Sequence, residues 1–370
     1  MPSAHPSVSP SASQRWTALL VVTLVLVLGT MAVGGCGGTE VTTDTSTTDT
    51  APSVSVTTEP AEPFELKLAV EFTDHAACAM VAEEKGWFEE AGLAVTAVEN
   101  YVTGADLAAA LARGDIQAAY ICLVPAINAR VNGGVDIKVV AGTHKYGYAL
   151  VVDPAKITTI ADLANQGLKI GCTQAGTAVD VLLQRLCEDH GLPARQISEN
   201  AQRMNPPAQV LALQAGKIDA CFVPEHWATM ATTSGHKLLV SAEDIWPDLQ
   251  GSVLVVKSEL LESRPDVVEK LVRITNQANT WINDNPDEAA AILAQSLTVS
   301  DQMVLPDKAV ESAARLQVTP QIIADSMTRL EYRSDIDAAH IDTIIAYMDA
   351  LGYLKKSVDA SQLLDLRFLR

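Results

Sequence analysis

Hydrophobic and polar positions follow three regimes along this chain. Residues 17–33 form an uncharged apolar run. Residues 39–63 show no hydrophobic period and are rich in Thr, Ser and Pro. From residue 64 onward, short apolar runs alternate with stretches of helical period. The first such block predicts strands over 66–70, 95–98, 117–121 and 137–141, with helices over 76–90, 105–112 and 125–132 between them; Gly92 and Gly114 act as stops. A second block predicts strands over 168–171 and 218–222 and helices over 179–189 and 207–215. Strand and helix periods alternating at this spacing mean largely parallel sheets with covering helices.

The two blocks share a plan. Residues 111–118 and 213–220 both read as a helix end, a glycine stop and a buried strand, and Pro125 and Pro224 follow. Two further β-rich runs, 148–152 and 252–256, flank the second block and are introduced by Gly147 and Gly251. Their symmetric placement predicts two crossings between lobes. The sequence divides into 64–147 plus 257–370 as one lobe and 148–256, with the crossover strands, as the other. Beyond residue 265 the pattern is helical, with predicted helices over 265–283, 287–297, 320–330 and 337–351.

The apolar run ends in Val33, Gly34, Gly35 and Cys36. Its length fits a long signal core or a marginal membrane span. Small residues before a lone cysteine favour processing, because a peptidase groove accepts Gly and the thiol can carry a lipid. The stretch resembles the lipobox of bacterial lipoproteins, with Val33 in place of the commoner Leu. It implies a signal peptide over 1–35 and lipidation at Cys36. An uncleaved anchor helix is the alternative; either one puts the remainder outside the cytoplasm, on the outer face of the cell membrane or in the periplasm. Residues 36–63 then form a disordered tether, since they cannot bury enough apolar area to offset chain entropy. About 25 such residues reach on the order of 30 Å.

The formal net charge of −19 argues against nucleic acid and against adsorption to anionic lipid. Five cysteines follow Cys36, namely Cys78, Cys122, Cys172, Cys187 and Cys221; their number is odd and no CxxC occurs. They read as small buried apolar residues rather than a disulfide framework. Of Cys78, Cys122, Cys172 and Cys221, which fall near the predicted strand ends, with His75 and His226, His75 and Cys78 are the one close pair, at a spacing common by chance inside a helix, so no metal and no cofactor is expected.

Residues 82–93 (AEEKGWFEEAGL), Gly114-Asp115-Ile116, residues 171–177, residues 216–220 and Pro224-Glu225-His226-Trp227 together resemble the solute-binding proteins of ABC importers, in the nitrate/sulfonate/taurine group. Relatives on the same fold make the thiamine pyrimidine. The resemblance covers nearly all of residues 64–370. It implies an α/β fold of the two-lobed periplasmic-binding-protein-like type (type II), each lobe a mostly parallel sheet with covering helices, joined by two hinge crossings. It implies capture of a small polar solute by lobe closure and delivery to permease subunits with their ATPase. A monomer, anchored through its N-terminal lipid and binding no nucleic acid, fits that role.

Ligands of open parallel sheets bind beyond the carboxyl ends of the strands. That rule selects five cleft-facing loops. They supply Thr73, Asp74 and His75; Cys122; Thr143, His144 and Tyr146; Thr173, Gln174 and Thr177; and Glu225, His226 and Trp227 as candidate ligand-binding residues. Thr177 with Asp180 has capping-box-like spacing at a helix start, where backbone N–H groups favour an anion. Asp74 reads equally as a helix N-cap. Glu225, His226 and Trp227 combine a carboxylate, an imidazole and an indole, with helix capping and core packing as the plainer roles. No Arg occurs in these loops, which speaks against a guanidinium clamp. No nucleophile–base pair or phosphate loop is visible, so no enzymatic activity is expected. The alternatives are a ligand-sensing module for a membrane receptor and a thiamine-pyrimidine-related binding protein or enzyme.

Overall fold

In the computed structural model, which describes residues 64–114, 116–298 and 316–369, eleven strands make two sheets. The 17–33 run, Cys36 and the tether lie outside the described residues, as do Asp115 and residues 299–315. No helix among the described residues is long and apolar enough to cross a membrane.

The first sheet contains β1 (Phe64–Glu71), β2 (Leu93–Tyr101), β3 (Ala118–Cys122) and β4 (Ile137–Tyr146). The second contains β5 (Tyr148–Val152), β6 (Ile170–Cys172), β7 (Gln202–Arg203), β8 (Ala220–Pro224) and β9 (Lys237–Ser241). The chain then returns to the first sheet with β10 (Gln250–Lys257) and β11 (Leu330–Tyr332). The orders are β2-β1-β3-β10-β4-β11 and β7-β6-β8-β5-β9.

Without β11 the two orders are one plan. β1, β2, β3 and β4 point one way, and β10 runs against them between β3 and β4. In the second sheet β6, β7, β8 and β9 point one way, and β5 runs against them between β8 and β9. The reversed strand of each sheet is the one that has just crossed from the other. Both are apolar and buried on both faces, as interior strands of covered sheets must be.

Strand β10 corrects the expected boundary. The 252–256 run pairs with β3 and β4 of the first sheet, so the return crossing precedes Gln250. A run buried on both faces suits the interior of either sheet, and only its pairing partners decide between them. The crossing before β5 is built around Gly147, at φ +83°, where a Cβ would sit 2.7 Å from His75 Nε2.

Helices cover both sheets. The predicted 76–90 helix is two, Ala77–Glu84 and Trp87–Glu90, because Gly86 adopts φ +72° between them. The amphipathic Pro265–Asp284 helix packs its Val267, Leu271, Ile274 and Ala278 face into the core. Two core clusters result, and each draws residues from both sheets, so the lobes share an apolar seam. All five described cysteines are free and buried. Burial pushes the thiols of Cys78, Cys172 and Cys187 up to about 12.

Candidate functional site

Strands β1 and β3 end side by side, which places Glu71 against Cys122. The Cys122 amide donates to Glu71 Oε1 at 2.7 Å, and its thiol donates to Oε2 at 2.9 Å. Burial raises the Glu71 carboxyl, and burial with the neighbouring Glu71 raises the Cys122 thiol well above its ordinary value. The Tyr148 hydroxyl, the first side chain of β5, reaches Cys122 Sγ at 2.9 Å. His75 closes the group, with Nδ1 3.7 Å from the sulfur and Nε2 2.6 Å from the Gly147 carbonyl. Nε2 therefore carries the proton and Nδ1 the lone pair. Burial lowers the ring to about 4, so it is neutral.

Glu71, Cys122 and Tyr148 form one wall of a small cavity between the sheets, with Thr103 and Gly104 beside them and Thr173 and Thr177 opposite. It measures about 30 Å³, room for one or two waters. Among the described residues no Arg or Lys lines it. The helices Gly104–Arg113, Leu123–Val131, Ala178–Asp189 and Pro206–Gln214 all begin at or next to its walls. First-turn N–H groups and the helix dipole favour an anion at such ends, but the Pro206–Gln214 helix offers its dipole alone, because Pro206 and Pro207 carry no N–H and Asn205 caps the Ala208 N–H. A wider groove of about 370 Å³ lies outside, between the first two of these helices, the 174–177 loop and Tyr353.

Of the candidates read from the sequence, Cys122, Thr173 and Thr177 line the cavity, and Gln174 lines the outer groove with Thr177. His75 stands behind Cys122. The capping box of Thr177 with Asp180 does not form. Thr177 Oγ1 donates to the Gln174 carbonyl at 2.7 Å, while Asp180 accepts from the Gly176 amide, Ser198 and Arg203. Thr73, not Asp74, caps the turn at 74–76, accepting from the His75 amide.

The remaining candidates pack elsewhere. Asp74 accepts from Ser326, and burial with the nearby Glu225 charge raises it to about 8. Thr143 Oγ1 reaches the His75 carbonyl at 3.4 Å. His144 is buried with its ring 4.3 Å from that of His75. Tyr146 lies at the first crossing, at φ +64°. Glu225 is fully buried and committed, accepting from Arg329 Nε at 2.6 Å and from Thr229 at 2.7 Å. Trp227 is a core side chain against Phe72, and the His226 ring lies 4.3 Å from it. Neither His226 nitrogen has a partner among the described residues, and burial lowers the ring to about 3.

The sequence reading passed over Glu71, Tyr148, Thr103 and Gly104. Glu71 stood in a selected loop as a carboxylate ending an apolar strand, which was signal enough. Thr103-Gly104-Ala105-Asp106 carried a helix-start signal, since Thr103 accepts from the Asp106 amide at 3.2 Å. Nothing near residue 225 in sequence foretold Arg329.

The NMT1-like family profile matches residues 59–298. The putative aliphatic sulfonates-binding protein of Bacillus subtilis is 26% identical over 261 residues, covering 68% of this chain and 74% of that one. The alkanesulfonate-binding protein SsuA of Xanthomonas axonopodis, solved bound to MOPS, superposes with a TM-score of 0.68 at 19% identity, over 83% of this chain and 100% of that one. The periplasmic nitrate-binding protein NrtA of Synechocystis superposes at 0.66 and 17% identity, over 84% and 88%. The fold is thus that of the periplasmic binding proteins.

Proposed function

Because this chain belongs to the NMT1-like family, we propose that it is the extracytoplasmic solute-binding component of an ABC importer for a small sulfonate- or nitrate-like anion. The carrying observation is the cavity between the sheets, walled from both sides and ringed by helix N-termini without Arg or Lys. Such a site neutralises an anion through backbone dipoles, at a place where closing lobes exclude water. Lobes 64–147 plus 257–370 and 148–256, with the second boundary moved to about residue 249, open and close about the two crossings. Once the signal segment 1–35 is removed, the lipid on Cys36 and the 36–63 tether hold a monomer near its permease.

A thermal-shift screen of the full chain against alkanesulfonates, taurine, nitrate and pyrimidines tests this reading. A ligand at about 100 times its Kd stabilises by about 2.7 kcal/mol through mass action. We expect a sulfonate or nitrate to raise the Tm. A flat response to the whole panel sinks the reading. Cys36→Ser leaves solute binding intact and moves the protein from the membrane to the soluble fraction; membrane retention of that variant refutes the lipid anchor.

A further inference from the structure

We propose that Glu71, His75 and Cys122 form a binding site for one divalent transition-metal ion of the zinc type, at the wall of the cavity. These residues offer an oxygen, a nitrogen and a sulfur, and the three donor atoms lie within 4.8 Å of one another. All three side chains are buried. Carboxylate, imidazole and thiolate together are a recognised zinc donor set, and three protein ligands leave a fourth position open.

The spacing fits. Tetrahedral zinc with bonds of about 2.3 Å to sulfur and 2.0–2.1 Å to nitrogen or oxygen separates the sulfur from either other ligand by about 3.6 Å and the nitrogen from the oxygen by about 3.3 Å. Cys122 Sγ and His75 Nδ1 stand 3.7 Å apart. Sγ and Glu71 Oε2 are closer, at 2.9 Å, because a thiol proton joins them. An ion takes that proton's place and opens the pair by about 0.7 Å, within reach of a small rotation of the carboxylate.

The surroundings fit as well. Metal-bound histidines donate their other ring nitrogen to a carbonyl or carboxylate, which fixes the tautomer and aims the lone pair. His75 Nε2 meets the Gly147 carbonyl at 2.6 Å, so Nδ1 faces the sulfur with its lone pair. The Tyr148 hydroxyl at 2.9 Å from Sγ and Ser252 Oγ at 3.6 Å are outer partners for a thiolate. Charge also balances. A thiolate and a carboxylate bring two negative charges, no Lys or Arg lines the cavity, and a divalent ion neutralises both. Glu71 and Cys122 both line the cavity, so the ion would sit at its wall.

The test uses the full chain, stripped with chelator and titrated with Co²⁺ or Zn²⁺ alone. We expect one equivalent per chain, a thiolate-to-cobalt absorption band, and loss of that band in Cys122→Ser. His75→Gln and Glu71→Gln weaken binding at least tenfold, while Cys78→Ala leaves it unchanged. X-ray absorption of the zinc-loaded wild-type chain needs no variant and should show one sulfur neighbour at about 2.3 Å. Absence of stoichiometric binding, absence of a sulfur neighbour, or full affinity in a folded Cys122→Ser chain overturns the proposal. It shares its cavity with the proposed function, but the two fail separately. Solute binding without metal binding refutes only the metal site, and metal binding without any solute response refutes only the importer reading.

Discussion

Arg329 holds Glu225 across the seam between the sheets, with Nε 2.6 Å from a carboxylate that has no exposure to solvent. Glu225 directly follows β8, whereas Arg329 follows the Pro320–Met327 helix. The pair thus ties the C-terminal part of the chain to the second sheet. Removing one partner of a buried pair leaves an uncompensated charge and costs about 3–5 kcal/mol. Arg329→Met should lower unfolding free energy by that amount in urea titrations, and adding Glu225→Gln should recover part of it. A single-variant loss below about 1 kcal/mol means that the pair does not hold the seam.

Gly104 opens the Gly104–Arg113 helix beside the cavity. A Cβ there would run into Glu71 Oε1 and come within 2.6 Å of Pro125 Cγ. Gly104→Ala must therefore push Glu71 or the helix start into the cavity. Overpacking of this kind costs about 1–3 kcal/mol. Solute affinity should fall at least tenfold while far-UV circular dichroism stays unchanged. Unaltered affinity would show that solute binds elsewhere.

Much of the architecture was legible because strand and helix periods are local properties. The 148–152 run is a strand at those same residues, and the helix stops at Gly92 and Gly114 fall where the pattern put them. The site was legible only to the level of its loops. Each strand end opens toward the seam, but a loop contains both cavity residues and core residues. Glu71 ends β1 and faces the cavity, whereas Asp74, three residues on, turns to Ser326, 252 positions away. Glu225 looked available because its partner, Arg329, lies 104 positions downstream. Polar groups at a seam are sorted by long-range partners, and a local pattern carries no record of those.

His226 makes stability depend on acidity. Its buried ring stays neutral, with its folded value lowered by burial to about 3. The unfolded chain takes up a proton below about 6.5. The resulting stability is therefore fully present above pH 6.5 and drains away as pH falls toward 3. At pH 4.5 the loss from this one group is about 2–3 kcal/mol. His226→Phe keeps an aromatic ring beside Trp227 and abolishes the protonation. Unfolding free energy measured from pH 7 to pH 4.5 should fall less steeply in the variant, by about one proton's worth of slope. Equal slopes in both proteins would mean that His226 is not held neutral.

Tyr353 fastens the two lobes at the mouth of the outer groove. Its hydroxyl donates to Asp180 and accepts from Gln184, both on the Ala178–Asp189 helix over the second sheet. Its carbonyl accepts from Asn132 Nδ2 at 2.6 Å, at the end of the Leu123–Val131 helix over the first. Asn128 adds a second tie, donating to the Gly176 carbonyl at 2.7 Å. The bonds from Tyr353 to Asp180 and Gln184 and from Asn128 to Gly176 join the two lobes, so under the proposed lobe closure they favour the closed form over an open one. Tyr353→Phe keeps the ring and the backbone tie but deletes the bond to a charged carboxylate, worth about 1.5–3 kcal/mol. The closed population falls, and apparent solute affinity falls with it, by about 10- to 100-fold. Stopped-flow measurements should place most of that change in the off-rate, because release requires opening. An off-rate equal to that of the wild-type chain, in a variant of unchanged Tm, refutes a clasp at this position.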